Sequence, residues 1–155
     1  IDAAKIERGQ RALGHLAPGE ASAELRVSPS GEVPRVAGGW RAIVFAYVLY
    51  LLTPERREAL LAECADALAP GGVLVVKEVD TSPALKARIA QLQEVLATRV
   101  LHITDGDALD FPSADELRGV LDRLGLATVS RRIDRGYLHP HCVVIGTRPA
   151  GPAAG

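Results

Sequence analysis

Trp40-Arg41-Ala42-Ile43-Val44-Phe45-Ala46-Tyr47-Val48-Leu49-Tyr50-Leu51-Leu52, followed one helix later by Leu68-Ala69-Pro70-Gly71-Gly72-Val73-Leu74-Val75-Val76, decides how this chain folds. Residues 42–46 are a short, continuous apolar run without polar alternation. Such a run suits a strand covered on both faces, as in a parallel sheet. Val73-Leu74-Val75-Val76 is a second run of the same kind. Between the two, Thr53-Pro54-Glu55 supplies an N-cap threonine and a proline at the first helical position. The helix that follows carries Leu60, Cys64, Ala67 and Leu68 on one face, with Glu55, Arg57, Glu58 and Glu63 on a solvated one. Pro70-Gly71-Gly72 stops it, because proline cannot continue the helix and the glycines permit positive φ. Both apolar runs are predicted to be almost fully buried strands of one sheet.

Working outward, residues 3–16 read as a helix, with Asp2 at its N-cap and Ile6, Leu13 and Leu16 on its apolar face. Residues 25–28 are a short strand candidate before a Ser-Pro-Ser-Gly turn. Ser82-Pro83 opens another helix, whose Leu85, Ile89, Leu92 and Leu96 fall at helical spacing. After a loop over 102–112, Ser113-x-x-Glu116 forms a capping box, Leu117, Val120, Leu121 and Leu124 make a buried stripe, and Gly125 ends the helix. Two strands close the chain at 127–133 and 142–147, joined by a connection short enough for an antiparallel hairpin. The expected architecture is a three-layer α/β/α sandwich with a mainly parallel sheet ending in that hairpin. Residues 1–148 are expected to form the domain, and 149–155 a flexible Pro/Ala/Gly tail.

Composition narrows the function. The chain has 155 residues, 48% of them hydrophobic and 24% charged, which suits one globular domain. Its 18 basic and 19 acidic residues give a net charge of -1, which offers no general electrostatic basis for binding nucleic acid or an anionic membrane. No apolar run approaches the roughly 18–20 residues that span a bilayer. The 2 cysteines, Cys64 and Cys142, lie far apart and give neither a disulfide framework nor zinc spacing, so a cytoplasmic setting is expected. The chain has 0 methionines and opens at Ile1-Asp2, which predicts a natural N-terminus further upstream.

The quoted stretches resemble the middle of a class I S-adenosylmethionine-dependent methyltransferase. In that family the fourth strand often reads FDAIVFxDVLxxL, and a helix leads to LxPGGxLxxxE on the fifth. Ile1-Asp2-Ala3-Ala4-Lys5-Ile6 is similar to the family's passage from its second strand into the next helix. The resemblance covers most of residues 1–148 and implies a Rossmann-like methyltransferase fold. It also implies that the family's first strand, glycine-rich loop and first helix precede Ile1. Two departures stand out: the acid after the third strand is replaced by Ser28-Pro29-Ser30, and the Asp or Asn after the fourth by Tyr47.

In open parallel sheets, ligands sit outside the carboxyl ends of the strands. That rule and the resemblance together select the candidate residues. On the cofactor side they are Asp2, Ser28, Ala46 and Tyr47. Asp2 is either a ribose contact or a plain helix cap, and Ser28 either a hydrogen-bonding group or part of a turn. The Tyr47 ring either stabilises positive charge, by about 0.5–2 kcal/mol, or seals the strand-to-helix connection. On the acceptor side stand Tyr50, Glu78 and His102. Tyr50 is more simply a sealing ring, and His102 a surface or capping residue in a loop where a lid would lie. Glu78 and Asp80 share one side of the fifth strand's end, to orient an acceptor, take its proton, or solvate the strand end.

His139-Pro140-His141 with Cys142 lacks a second ligand cluster, so a hairpin turn is expected there and no metal. No GxSxG elbow supports a hydrolase. The resemblance thus implies S-adenosylmethionine as cofactor and methyl transfer to a small-molecule acceptor, with oligomeric state left open and no fixed catalytic residue. A catalytically degenerate domain serving as a structural or partner-binding module is the alternative. A nicotinamide-dependent oxidoreductase shares the open sheet, but the closing hairpin and the Pro-Gly-Gly turn count against it.

Overall fold

A computed structural model describes residues 3–13, 25, 31–79, 110–133 and 141–151. They fall in two units, Ile1–Glu32 and Val33–Gly155, each taken by itself. In the first, helix α1 spans Ala3–Leu13. Ile6 and Gly9 are half-buried on it while Glu7, Arg8, Gln10 and Arg11 are exposed, as its apolar periodicity requires. The Gln10 side chain donates to the Leu25 carbonyl at 3.1 Å. The strand expected at 25–28 and the helix expected after Ser82-Pro83 lie outside the described residues, Leu25 excepted, and Leu25 is in no strand.

The second unit is built on four strands: β1 Trp40–Ala46, β2 Leu68–Val79, β3 Ala127–Arg132 and β4 His141–Thr147. Their order in the sheet is β1-β2-β4-β3. β1 and β2 run parallel, with Ala42 beside Val73 and Ala46 beside Lys77. β4 is antiparallel both to β2 and to β3, so the described part of the sheet is mixed and the closing hairpin is part of it.

Helices α2 (Pro54–Ala67) and α3 (Ala114–Arg123) lie on one face of this sheet. Leu60, Leu61, Cys64, Leu117 and Leu121 from the helices form one core with Leu74, Val76 and Val144 from the strands. Thr53 caps α2 by accepting from the Arg56 amide, and Ser113 with Glu116 makes the full capping box on α3. Gly125 follows α3 at φ 77°, the left-handed residue that terminates a helix without steric cost.

Three expectations need correction. Helix α2 ends at Ala67, so Leu68 belongs to β2 and the helix has stopped before Pro70 is reached. Its end is capped from a distance: the Arg148 guanidinium donates to the carbonyls of Asp66 at 3.2 Å and Leu68 at 2.5 Å. Cations suit this end of the helix dipole. The Pro-Gly-Gly segment lies within β2, opposite a register shift between Trp40 and Ala42. Gly71 has φ 74°, as expected, but Gly72 is required for closeness. A Cβ there would lie 2.7 Å from the Trp40 carbonyl oxygen.

The second correction concerns burial. Leu74 and Val76 are fully buried, but Ala42, Val44 and Ala46 point to the opposite face and are exposed, Val44 by 63%. The apolar runs mark strands apolar on both sides, and α2 and α3 cover only one. The third concerns Arg57, expected in solvent. Its side chain is 11% exposed and paired with Asp110.

Candidate functional site at the carboxyl ends of the parallel strands

β1 and β2 form the only parallel pair among the described strands, and their carboxyl ends lie side by side. This is the edge at which open α/β sheets bind ligands. β1 ends at the exposed Ala46. The chain then reverses through Tyr47, which has φ 57°, into a 3-10 turn at Leu49–Leu51. Leu49 is fully buried and anchors the turn in the core. A side chain in the left-handed region costs about 1–2 kcal/mol and persists only when its surroundings hold it there. Among residues other than glycine, Asn and Asp tolerate that region best, so a tyrosine here needs more support from its neighbours.

Three successive amides hold the reversal, all on the last residues of β2. The Tyr47 N–H donates to the Lys77 carbonyl at 2.9 Å. The N–H groups of Val48 and Leu49 both donate to Glu78 Oε1, at 3.0 and 2.8 Å. Glu78 is 0% exposed, so it does not solvate the strand end. Its Oε2 is buried without a hydrogen-bond partner among the described residues. Burial pushes its pKa above the ordinary carboxyl value, opposed by the Leu49 and Val48 amides and the nearby Arg57 charge.

On the other face of the sheet the Tyr47 ring meets two polar neighbours. Its hydroxyl lies 3.3 Å from His141 Nδ1, with the rings in edge contact. The Lys77 ammonium sits over the ring, 5.0 Å from its centroid. Further along the turn, Tyr50 stacks on Phe111 with centroids 5.0 Å apart and planes 7° from parallel. The Asp110 amide donates to the Tyr50 carbonyl at 3.1 Å. Asp110 is fixed in turn by Arg57, whose guanidinium reaches its carboxylate at 2.7 Å and its carbonyl at 3.2 Å.

Ala46, Tyr47, Tyr50 and Glu78 are therefore brought to one place, while Asp2, Ser28 and His102 lie outside the described residues. Sequence reasoning missed Lys77, Arg57, Asp110 and Phe111 as neighbours of this edge, and read His141 only as hairpin chemistry. His141 arrives because β4 pairs with β2 and sets it beside Val79. No local signal predicts that, since Tyr47 and His141 meet only through the strand order. Among the described residues, no group of three or more His, Cys, Asp or Glu is arranged to hold a metal ion. Cys64 and Cys142 are free and buried, and desolvation pushes the Cys64 thiol up to about 12.

No protein-family model matches the chain, and no curated protein does. Solved structures do match. The chain is similar to the S-adenosylmethionine-dependent methyltransferase SibL (TM-score 0.65, 24% identity), over 95% of this chain and 41% of SibL. It is also similar to magnesium protoporphyrin IX methyltransferase (ChlM) from Synechocystis, solved with bound SAH (TM-score 0.63, 13% identity), over 92% of this chain and 58% of that one. An O-methyltransferase family protein from Burkholderia thailandensis matches with TM-score 0.56 and 21% identity, over 74% of this chain and 32% of that one. The fold is the Rossmann-like fold of class I S-adenosylmethionine-dependent methyltransferases. The chain spans less than half the length of the first and last of these structures.

Proposed function

We propose that the chain is part of an S-adenosylmethionine-dependent methyltransferase that acts on a small-molecule acceptor. The observation that carries the reading is the reversal at Tyr47–Leu49, built at the carboxyl edge of the parallel pair in a fold of this class. The residues present fit the cofactor at this edge. Ala46 is small and exposed, and the chain turns away immediately after it. Ala46 and Tyr47 would line the cofactor's side, with Asp2 and Ser28 as further contacts. Tyr50 and His102 would be the acceptor-side residues, with Glu78 behind the Tyr47–Leu49 turn. When bound, the cofactor supplies an electrophilic methyl group for in-line displacement by the acceptor. The chain's own part is to bind, align and exclude water, which suffices for large effects because effective molarities reach about 10⁵ M or more.

Support for a small acceptor comes from the near-neutral charge, -1 overall. ChlM is named for a porphyrin substrate, and an O-methyltransferase family 2 protein from Planctomyces limnophilus was solved with apigenin. No helix among the described residues is long and apolar enough to cross a membrane. A cytoplasmic setting remains part of the reading, which the buried thiols suit.

One observation favours the alternative, a degenerate module used for structure or partner binding. The Lys77 ammonium already occupies a face of the Tyr47 ring, and its charge opposes a sulfonium placed nearby. Calorimetric titration of the full-length protein with S-adenosylmethionine and its demethylated product decides between them. Competitive binding at one site is expected, with Tyr47→Ala weakening both ligands. If the full-length protein binds neither, the module reading replaces the enzyme.

A further inference from the structure

We propose that Glu78 is a positioning residue, which holds the reversal at Tyr47–Leu49, and with it the ligand-facing end of β1, through backbone N–H groups rather than by touching substrate. The inference rests on the methyltransferase reading only for the identity of the ligand. Tyr47, Val48 and Leu49 present three consecutive N–H donors, and Lys77 and Glu78 take all three. The last two converge on a single oxygen, so the carboxylate fixes both the direction and the tightness of the turn. A left-handed tyrosine needs such over-determination to persist.

The cost of keeping a carboxyl group here is plain. Glu78 is fully buried, and its Oε2 has no hydrogen-bond partner among the described residues. Its neighbours on β2 and β4 on that face, Leu74, Val76, Cys142 and Val144, are apolar or a buried thiol. On the same face β3 adds the half-buried Thr128 and Ser130 and the exposed Arg132, which pairs in register with Cys142. An apolar residue would remove the cost of burying the unpaired oxygen, but not without a loss elsewhere. It would leave the part-buried Val48 N–H and the buried Leu49 N–H without their acceptor, which would loosen the turn. Arg57 is the cation nearest in effect from α2, and Asp110 engages its guanidinium, so Glu78 is free to serve the amides. From the opposite face of the sheet, Lys77 and His141 contact the Tyr47 ring, leaving the backbone side to Glu78.

Reach and charge are separable in two variants of the full-length protein. E78D keeps the charge but withdraws the carboxylate by one methylene, and E78Q keeps an acceptor oxygen at the original reach without the charge. E78D is expected to speed hydrogen exchange at the Val48 and Leu49 amides by about tenfold, and to weaken S-adenosylmethionine binding by about the same factor. E78Q is expected to stay within about threefold of the parent in both. L61V, a core change matched for lost stability, should leave ligand affinity unchanged.

Parental exchange rates in E78D would overturn the inference. So would a folded E78Q that loses affinity while Val48 and Leu49 stay protected, since the charge itself would then be touching the ligand. If E78D does not fold, the E78Q result alone decides on the same terms. A parent that binds no S-adenosylmethionine ends the methyltransferase reading, and the exchange rates then judge the clamp alone.

Discussion

The two faces of the sheet are made of similar residues and live in different environments. On the face under α2 and α3, Leu74, Val76, Cys142 and Val144 are fully buried, and so is the charged Glu78. On the other, Val75, Val143 and Ile145 are half-buried, Val44 is 63% exposed and Val129 55%. Apolar character alone therefore does not tell which face is core. The reversal after β1 is held differently from each side. The covered face supplies a carboxylate to its backbone, and the open face supplies a cation and an imidazole to its ring. The dry side fixes the backbone path, where desolvated hydrogen bonds count for more.

The sharpest way to break this contrast is a matched pair of truncations. Leu74→Ala is expected to cost about 2–5 kcal/mol in urea unfolding, because the cavity opens in close-packed core. Val44→Ala should cost less than about 1 kcal/mol, since the methyl groups it removes are mostly in water already. Equal losses would mean that both faces are sealed in solution.

A smaller effect tests the tertiary cap on α2. Arg148→Ala should lower stability by about 1–2 kcal/mol, because it strips charge-assisted donors from the helix-end carbonyls. Arg148→Lys should recover only part of this, since a single ammonium cannot match the planar guanidinium on several carbonyls.

Smaller again is the backbone test at the reversal. Tyr47→Gly should be more stable than Tyr47→Ala by about 1 kcal/mol, the reverse of the usual order, because only a left-handed residue favours glycine. An alanine variant at least as stable would remove the strain at this position.

The last prediction is a change of slope. Glu78 has its pKa raised in the folded state, chiefly by burial. The folded protein therefore holds its proton more tightly than the unfolded chain does, and stability is greatest below the unfolded carboxyl value. It declines as pH rises from there through the higher folded value. Glu78→Gln should flatten this decline, as read from melting temperatures taken upward from about pH 4. An unchanged profile would assign the slope to other groups.

Much of the fold was legible because it rests on local rules. Thr53-Pro54 and Ser113-x-x-Glu116 start helices through their own side chains, Gly125 ends one, and two apolar runs mark the parallel strands β1 and β2. The short connection before His141 announced the antiparallel hairpin, and the structure pairs it as expected. The ligand-facing edge was legible in part: Ala46, Tyr47, Tyr50 and Glu78 were picked out by their place at strand ends, a rule of topology rather than of composition.

The sequence by itself thus determined where α2 and α3 begin and where α3 ends, which segments are apolar, and the resemblance that points to methyl transfer. Only the tertiary structure decided that β4 lies between β2 and β3, that one sheet face is covered by α2 and α3, and that His141 and Lys77 flank Tyr47. It also decided that Glu78 turns inward to the amides of Val48 and Leu49, and that Arg57 leaves the solvent for Asp110. The caps at Thr53, Ser113 and Gly125 are settled by neighbours within about four residues, where spacing along the chain is spacing in space. The end of α2 and the turn after β1 are instead held by Arg148 and Glu78 from far along the chain. The partners of Glu78, Arg57 and Tyr47 lie far away in sequence, and only strand order and register fix which of two similar faces each side chain meets.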